Sequence, residues 1–180
     1  MRKGTVVATA LLARSVLAMD LPAPPGGFDW KEVPEIKAAF LVPKGWHFKR
    51  ETQADTLALF ITQEDISDGG SFATGLTINV FPRSKPGSAT EYAQGFIAQM
   101  AAEKHADRTW ARDAGPLRTF GCLIRDRSKT DTVILHTLMV ANPKTGTLYL
   151  FIFEAPERTW AAAWAKGETI MDLLAVDDEV

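Results

Sequence analysis

An α+β fold built on an antiparallel sheet follows from three features of the sequence. Short segments carry apolar residues at every second position, the period of a half-buried strand. Several are joined by tight turn signals rather than by crossover helices. Two amphipathic segments at helical spacing lie between and after the strands, so helices pack on an antiparallel sheet.

The elements follow in order. Ile36–Val42 is apolar enough for a strand, and Pro43, Lys44 and Gly45 mark a turn. From Trp46 to Thr52 the period is two, with Trp46 and Phe48 on one face and His47 and Lys49 on the other. Leu57, Leu59 and Ile61 share a face of a strand over Thr56–Thr62. Gln63–Ser71 is polar and runs into Gly69–Gly70–Ser71, which reads as a loop. Leu76, Ile78 and Val80 define the next strand, ended by Pro82.

Ser88–Lys104 is the clearest helix. Ser88 and Glu91 have the spacing of a capping box, and Ala89, Tyr92, Ala93, Phe96, Ile97, Met100 and Ala101 recur at helical spacing. Its single apolar stripe implies that it covers one face of something else. Leu117–Arg127 reads as a strand, as do Thr132–Ala141 and Thr147–Glu154, which are joined by the five-residue hairpin loop Asn142–Gly146. Pro156 opens a last helix with Trp160, Trp164, Ile170, Met171 and Leu174 on one side, and Asp177–Val180 is an acidic tail expected to fray.

Composition narrows the function classes. The chain has 180 residues, which fits one domain, and 46% of them are hydrophobic against 23% charged, which argues against disorder. A net charge of −2 lacks the basic excess of a nucleic-acid binder. There is no run of eighteen apolar residues, so no ordinary membrane span is expected. The single cysteine, Cys122, excludes an internal disulfide framework and a Cys-rich zinc site. It lies in an expected strand and should be buried.

The start has the anatomy of a secretory signal peptide. Arg2 and Lys3 precede an apolar stretch from Gly4 to Ala13, and Val16 and Ala18 occupy the −3 and −1 positions of a cut before Met19. Arg14 interrupts the end of the apolar core, and the alternative is an amphipathic N-terminal helix of a cytosolic protein. No cysteine follows the apolar core, so an N-terminal lipid anchor is not expected. Cleavage would remove three cations and no anion, making the mature chain more acidic. The expected organisation is a signal peptide over 1–18, a Pro-rich spacer over 19–27, a single domain over 28–176 and an acidic tail over 177–180.

Catalytic motifs are scarce. H-E-x-x-H, G-x-S-x-G and P-loop patterns, which encode zinc ligands, a nucleophile elbow and a phosphate cradle, do not occur. Lys144–Thr145–Gly146 matches the K-T-G element of penicillin-binding enzymes, but no serine has a lysine three residues on, so the segment reads as a turn. His47 and His136 lie in expected strands, where a polar-face histidine is usually solvated, and His105 follows the first helix. Glu64, Asp65 and Asp68 sit in a Gly-containing loop without calcium-loop spacing. No catalytic residue, cofactor or metal ligand is therefore assigned. Trp46, Trp160 and Trp164 are expected in the core. Trp30 and Trp110 lie in weakly periodic segments and are the candidate partner contacts, because tryptophan is enriched at interface hot spots.

The order of these segments resembles the PsbP-like superfamily. Phe40–Trp46, containing Pro43-Lys44-Gly45-Trp46, is similar to its strand–turn–strand opening. Thr74–Pro82 is similar to its next core strand, and Glu154–Leu174 to its closing strand and helix. The resemblance spans about residues 34–175. It implies an antiparallel sheet with helices on both faces, an α/β/α sandwich, and non-enzymatic binding with no catalytic residues to carry over. Nothing matches the ion-retaining N-terminal segment of the photosynthetic members.

The expectation is an exported protein, periplasmic or secreted, that binds an unidentified protein or small ligand as a monomer, with no nucleic acid and no membrane span. A cytosolic chaperone or adaptor of the same fold, and a hydrolase using dispersed residues such as His47, Asp65 or His136, are the alternatives.

Overall fold

The computed structural model describes residues 21–53, 55–81, 88–127 and 130–176. The signal-peptide and acidic-tail expectations lie outside the described residues, as does most of the strand-ending segment at Pro82.

The chain runs through β1 (Phe28–Val33), β2 (Ala38–Pro43), β3 (His47–Gln53), β4 (Thr56–Thr62), β5 (Gly75–Phe81), α1 (Ala89–Glu103), β6 (Arg108–Ala114), β7 (Leu117–Asp126), β8 (Val133–Ala141), β9 (Leu148–Pro156), α2 (Trp160–Asp172) and β10 (Ala175–Val176). Seven strands form one antiparallel sheet in the order β3-β4-β5-β9-β8-β7-β6. A small antiparallel sheet has the order β1-β2-β10. The fold is α+β with antiparallel sheets, as the sequence pattern predicts.

Strand alternation divides the interior into two clusters. On β9, Tyr149, Phe151, Phe153 and Ala155 pack with Ala163 and Ile170 of α2 and with Phe40 and Leu41 of β2. Its intervening residues Leu148 and Leu150 pack with Ala89, Ala93 and Ile97 of α1. Successive strand residues point to opposite faces, so both faces of β9 are dry. That is why this strand reads as a continuous apolar run. Phe40 meets Phe151 edge-on, with ring centroids 6.4 Å apart, where the small sheet lies on the large one. No helix of the described residues is long and apolar enough to cross a membrane.

Several local expectations change. Ser88 is the N-cap of α1, but its dihedrals are helical (φ −88, ψ −11) and its side chain makes no capping hydrogen bond, so the capping box is not formed. At the other end, His105 takes φ 50. The Ala106 N–H then reaches the Ala101 carbonyl at 2.9 Å and the His105 N–H the Ala102 carbonyl at 3.5 Å. This is a Schellman closure with histidine where glycine usually sits. The segment after Pro156 is first a short 3₁₀ turn, Glu157–Thr159, and only then α2.

The sequence pattern missed β1, β6 and β10. β6 is joined to β7 by the two-residue loop Gly115–Pro116, with Gly115 at φ 60, as the primed hairpin turns require at their first central position.

Candidate functional site

β6 is an outer strand of the seven-stranded sheet, and all of its residues except Trp110 are exposed. Arg108, Trp110 and Arg112 share one face by strand alternation. Trp110 stands opposite Gly121 of β7. There its indole uses the room that a side chain would fill: a β-carbon on Gly121 would lie 2.3 Å from ring atoms Cε2 and Cζ2. The indole thus reaches inward across β7.

Beyond Gly121 it meets the His136 ring of β8, with centroids 4.8 Å apart. His136 in turn packs on Trp164 of α2 at 4.3 Å, and Trp164 stacks on Trp160 at 5.3 Å and 7°. Phe153 of β9 meets both tryptophans edge-on, and Trp46 stacks on Phe153 at 6.5 Å. A row of aromatic rings therefore runs from the sheet edge to the middle of the molecule and ties α2 to the sheet. Such ring pairs contribute about 0.5–1.5 kcal/mol each beyond their buried area.

The outer end of the row is cationic. The Arg108 guanidinium lies 5.2 Å from the centre of the Trp110 ring. Neither Arg108 nor Arg112 has a carboxylate partner among the described residues. By contrast, Arg118 pairs with Asp113, Arg125 with Asp107 and Glu157, Arg50 with Glu35, and Arg158 with Asp131. The Thr119 hydroxyl donates to the Arg112 carbonyl at 2.8 Å and fixes the strand from below.

His136 is neutral in this setting. Burial, and then the Arg108 and Arg112 charges, push its pKa down to about 4. Its Nδ1 is buried without a hydrogen-bond partner. The expectation of a solvated strand histidine fails because Trp110 and Trp164 enclose the ring from both sides.

The other sequence candidates lie elsewhere. Trp30 is half-buried on β1, and its indole N–H donates to the Pro22 carbonyl at 2.7 Å. His47 Nδ1 is 3.9 Å from Asp65 Oδ2, and both side chains are exposed. The backbone N–H of Ser67 holds the Asp65 carboxyl below the usual carboxylate range. Strand registers put His47 four strands from His136, about 19 Å at the usual spacing, on the opposite face of the sheet. The structure therefore brings His47 and Asp65 together but leaves His136 apart from them.

The acidic loop spends its groups on its own shape. The Thr74 N–H donates to Glu64 Oε2 at 3.2 Å, and Lys49 Nζ donates to the Ile66 carbonyl at 2.9 Å. Beneath it lies a depression of about 380 Å³ lined by Lys49, Phe60, Phe72 and Glu154 among others. No group of three or more His, Cys, Asp or Glu side chains placed to hold a metal occurs among the described residues. Asn142–Gly146, which carries the K-T-G match, is a hairpin loop closed by the Asn142 N–H on the Thr147 carbonyl at 2.9 Å. Cys122 is fully buried, and burial pushes its thiol pKa up.

An antiparallel sheet with α1 packed against β7 and β8, and α2 against β9 and β2, is the PsbP-like fold. The solution structure of cyanobacterial PsbP from Synechocystis is similar over 89% of this chain and 99% of its own, with 14% identity and a TM-score of 0.54. The Ran-binding protein Mog1p of Saccharomyces cerevisiae matches over 83% of this chain and 95% of its own, at 12% identity and 0.49. LpqN, involved in cell envelope biogenesis of Mycobacterium tuberculosis, matches over 78% and 83%, at 13% and 0.42. At these identities the likeness establishes the fold alone. No protein-family profile and no curated protein sequence matches the chain.

Proposed function

We propose that this chain is an exported, non-enzymatic binding or accessory protein whose partner seats on the Arg108–Trp110–Arg112 face of β6. One observation carries the reading. Two arginines without carboxylate partners among the described residues flank a half-buried tryptophan that is braced from behind by Gly121, His136 and Trp164. An aromatic anchor beside arginine, on a rigid element, is the usual make-up of an interface hot spot. Trp30, the other sequence candidate, is the weaker anchor in this reading, because its N–H is already engaged by Pro22.

The histidines support binding over hydrolysis. The His47–Asp65 pair is open to solvent, and His136 has neighbouring rings and arginines and, among the described residues, no hydrogen-bond partner at its Nδ1. The basic start, apolar core and small residues before Met19 support export to the periplasm or beyond, with the spacer at 19–27 and one domain over 28–176. The two clusters on β9 support the layering of an α/β/α sandwich. We read the protein as a monomer.

Two measurements test this. N-terminal sequencing of protein from producing cells is expected to begin at Met19, and an intact Met1 in the cytosol would overturn export. A photo-crosslinking residue at Ala114, which shares the face of Arg108, Trp110 and Arg112, is expected to give an adduct in the exported fraction that is lost on Arg108→Glu with Arg112→Glu. Adducts indifferent to these charges would remove β6 as the docking face.

A further inference from the structure

We infer that β6 is an edge for strand addition, and that its occupant is an extended acidic segment of a partner protein with carboxylates two residues on either side of a central aromatic. This deepens the reading above and rests on the docking face being β6.

The backbone argument comes first. Among the described residues β6 has β7 as its one neighbour in the sheet. A strand paired on one side presents unpaired N–H and C=O groups on the other. Its seven residues, about 23 Å at strand rise, match an added strand of similar length. The β6–β7 connection, Gly115–Pro116, is only two residues and does not fold back along this edge.

The side chains then choose the occupant. Directly opposed residues in an antiparallel pair hold their β-carbons about 4.5–5.5 Å apart, close enough for ion pairs and ring contacts. An added strand would face Arg108, Trp110 and Arg112 with three residues spaced two apart. Acid, aromatic, acid is the complementary order. A second copy of β6 paired about Trp110 would set Arg108 against Arg112, and opposed like charges are destabilising. The chain as a whole carries −2, so this basic edge is local and does not suit a long polyanion.

The test uses the exported protein as purified from cells and the peptide Thr-Glu-Val-Tyr-Ile-Glu-Thr. Amide chemical-shift changes on titration are expected to centre on residues 108–114. Replacing both glutamates of the peptide by lysine is expected to weaken binding at least tenfold, as is N-methylation of alternate peptide amides, which blocks the ladder without changing the protein. The Arg108→Glu/Arg112→Glu protein, checked for an unchanged urea midpoint, is expected to prefer the lysine peptide. Equal binding of the acidic and basic peptides, shifts centred elsewhere, equal competition by oligothymidylate, or a β6-dependent dimer in sedimentation would each overturn the inference. If crosslinks from β6 form as described above while the peptide fails, strand addition falls and the docking face stands. If both fail, both fall.

Discussion

Gly121 lies directly beneath the indole of Trp110, at a distance that leaves no room for a β-carbon. Gly121→Ala is expected to push the indole off His136 and to cost about 1–3 kcal/mol, the usual cost of overpacking. In a Trp110→Ala background the three atoms nearest to such a β-carbon are gone, so most of that cost should vanish. A double-mutant cycle by urea denaturation reads the coupling, expected at about 1 kcal/mol or more. Strict additivity would mean that the indole does not rest on Gly121.

His136 should make the protein acid-sensitive in a defined window. Its pKa is about 4 in the fold against 6.5 for the free side chain, so the unfolded chain takes up the proton first. Its contribution is fully present above pH 6.5, declines as pH falls, and is exhausted near pH 4. Its size is at most about 3 kcal/mol. His136→Phe keeps a ring between Trp110 and Trp164 but cannot titrate. Denaturation midpoints at pH 7.5, 5 and 4 should fall more steeply for the parent than for this variant. Parallel curves would remove His136 as the sensitive group.

Two helical glycines should respond to alanine with opposite signs. On α2, a β-carbon at Gly167 would stand 2.7 Å from the Phe153 ring, whereas on α1 Gly95 has nothing within 4 Å. Alanine favours a helix over glycine by about 1 kcal/mol. Gly95→Ala should therefore stabilise by about that much. Gly167→Ala should destabilise by about 1–2 kcal/mol net, since the clash outweighs the propensity gain. Thermal melts of the pair decide it, and a stabilised Gly167→Ala would show α2 free to move away from Phe153.

Cys122 should be silent to thiol reagents in the folded protein. It is fully buried beside Thr137, and burial raises its pKa, so little thiolate forms at pH 8. Labelling followed by mass spectrometry should track the unfolded fraction as urea is added. Complete labelling within seconds in buffer would contradict its place in the core.

What could be read from the sequence follows from where each strand lies. β4 and β5 alternate cleanly, and β8 and β9 are so apolar that they read as strands without alternation, because both faces are covered. β1 and β6 escape the pattern because they are outer strands of their sheets, with one inward residue in β6 and three in β1. In Arg-Thr-Trp-Ala-Arg-Asp-Ala the only inward anchor is Trp110, and one residue makes no period. The alternation of large and small side chains, followed by Gly115–Pro116, was the available signal. Trp110 was singled out as a contact, yet its partners were not. His136 reaches it through the Trp110–Gly121 and Leu123–His136 registers, and Trp164 through the packing of α2, none of which is local in sequence. The capping box failed for the converse reason. Its spacing was present, but Ser88 adopts helical dihedrals.

The small sheet is finished by the last strand of the described residues. Ala175 and Val176 pair with Ala39 and Ala38, and the whole seven-stranded sheet lies between them in the sequence. A growing chain can fold β1 and β2 only as an isolated hairpin, which is marginal on its own. The two parts of this sheet can therefore meet only after all seven strands of the large sheet have been synthesised.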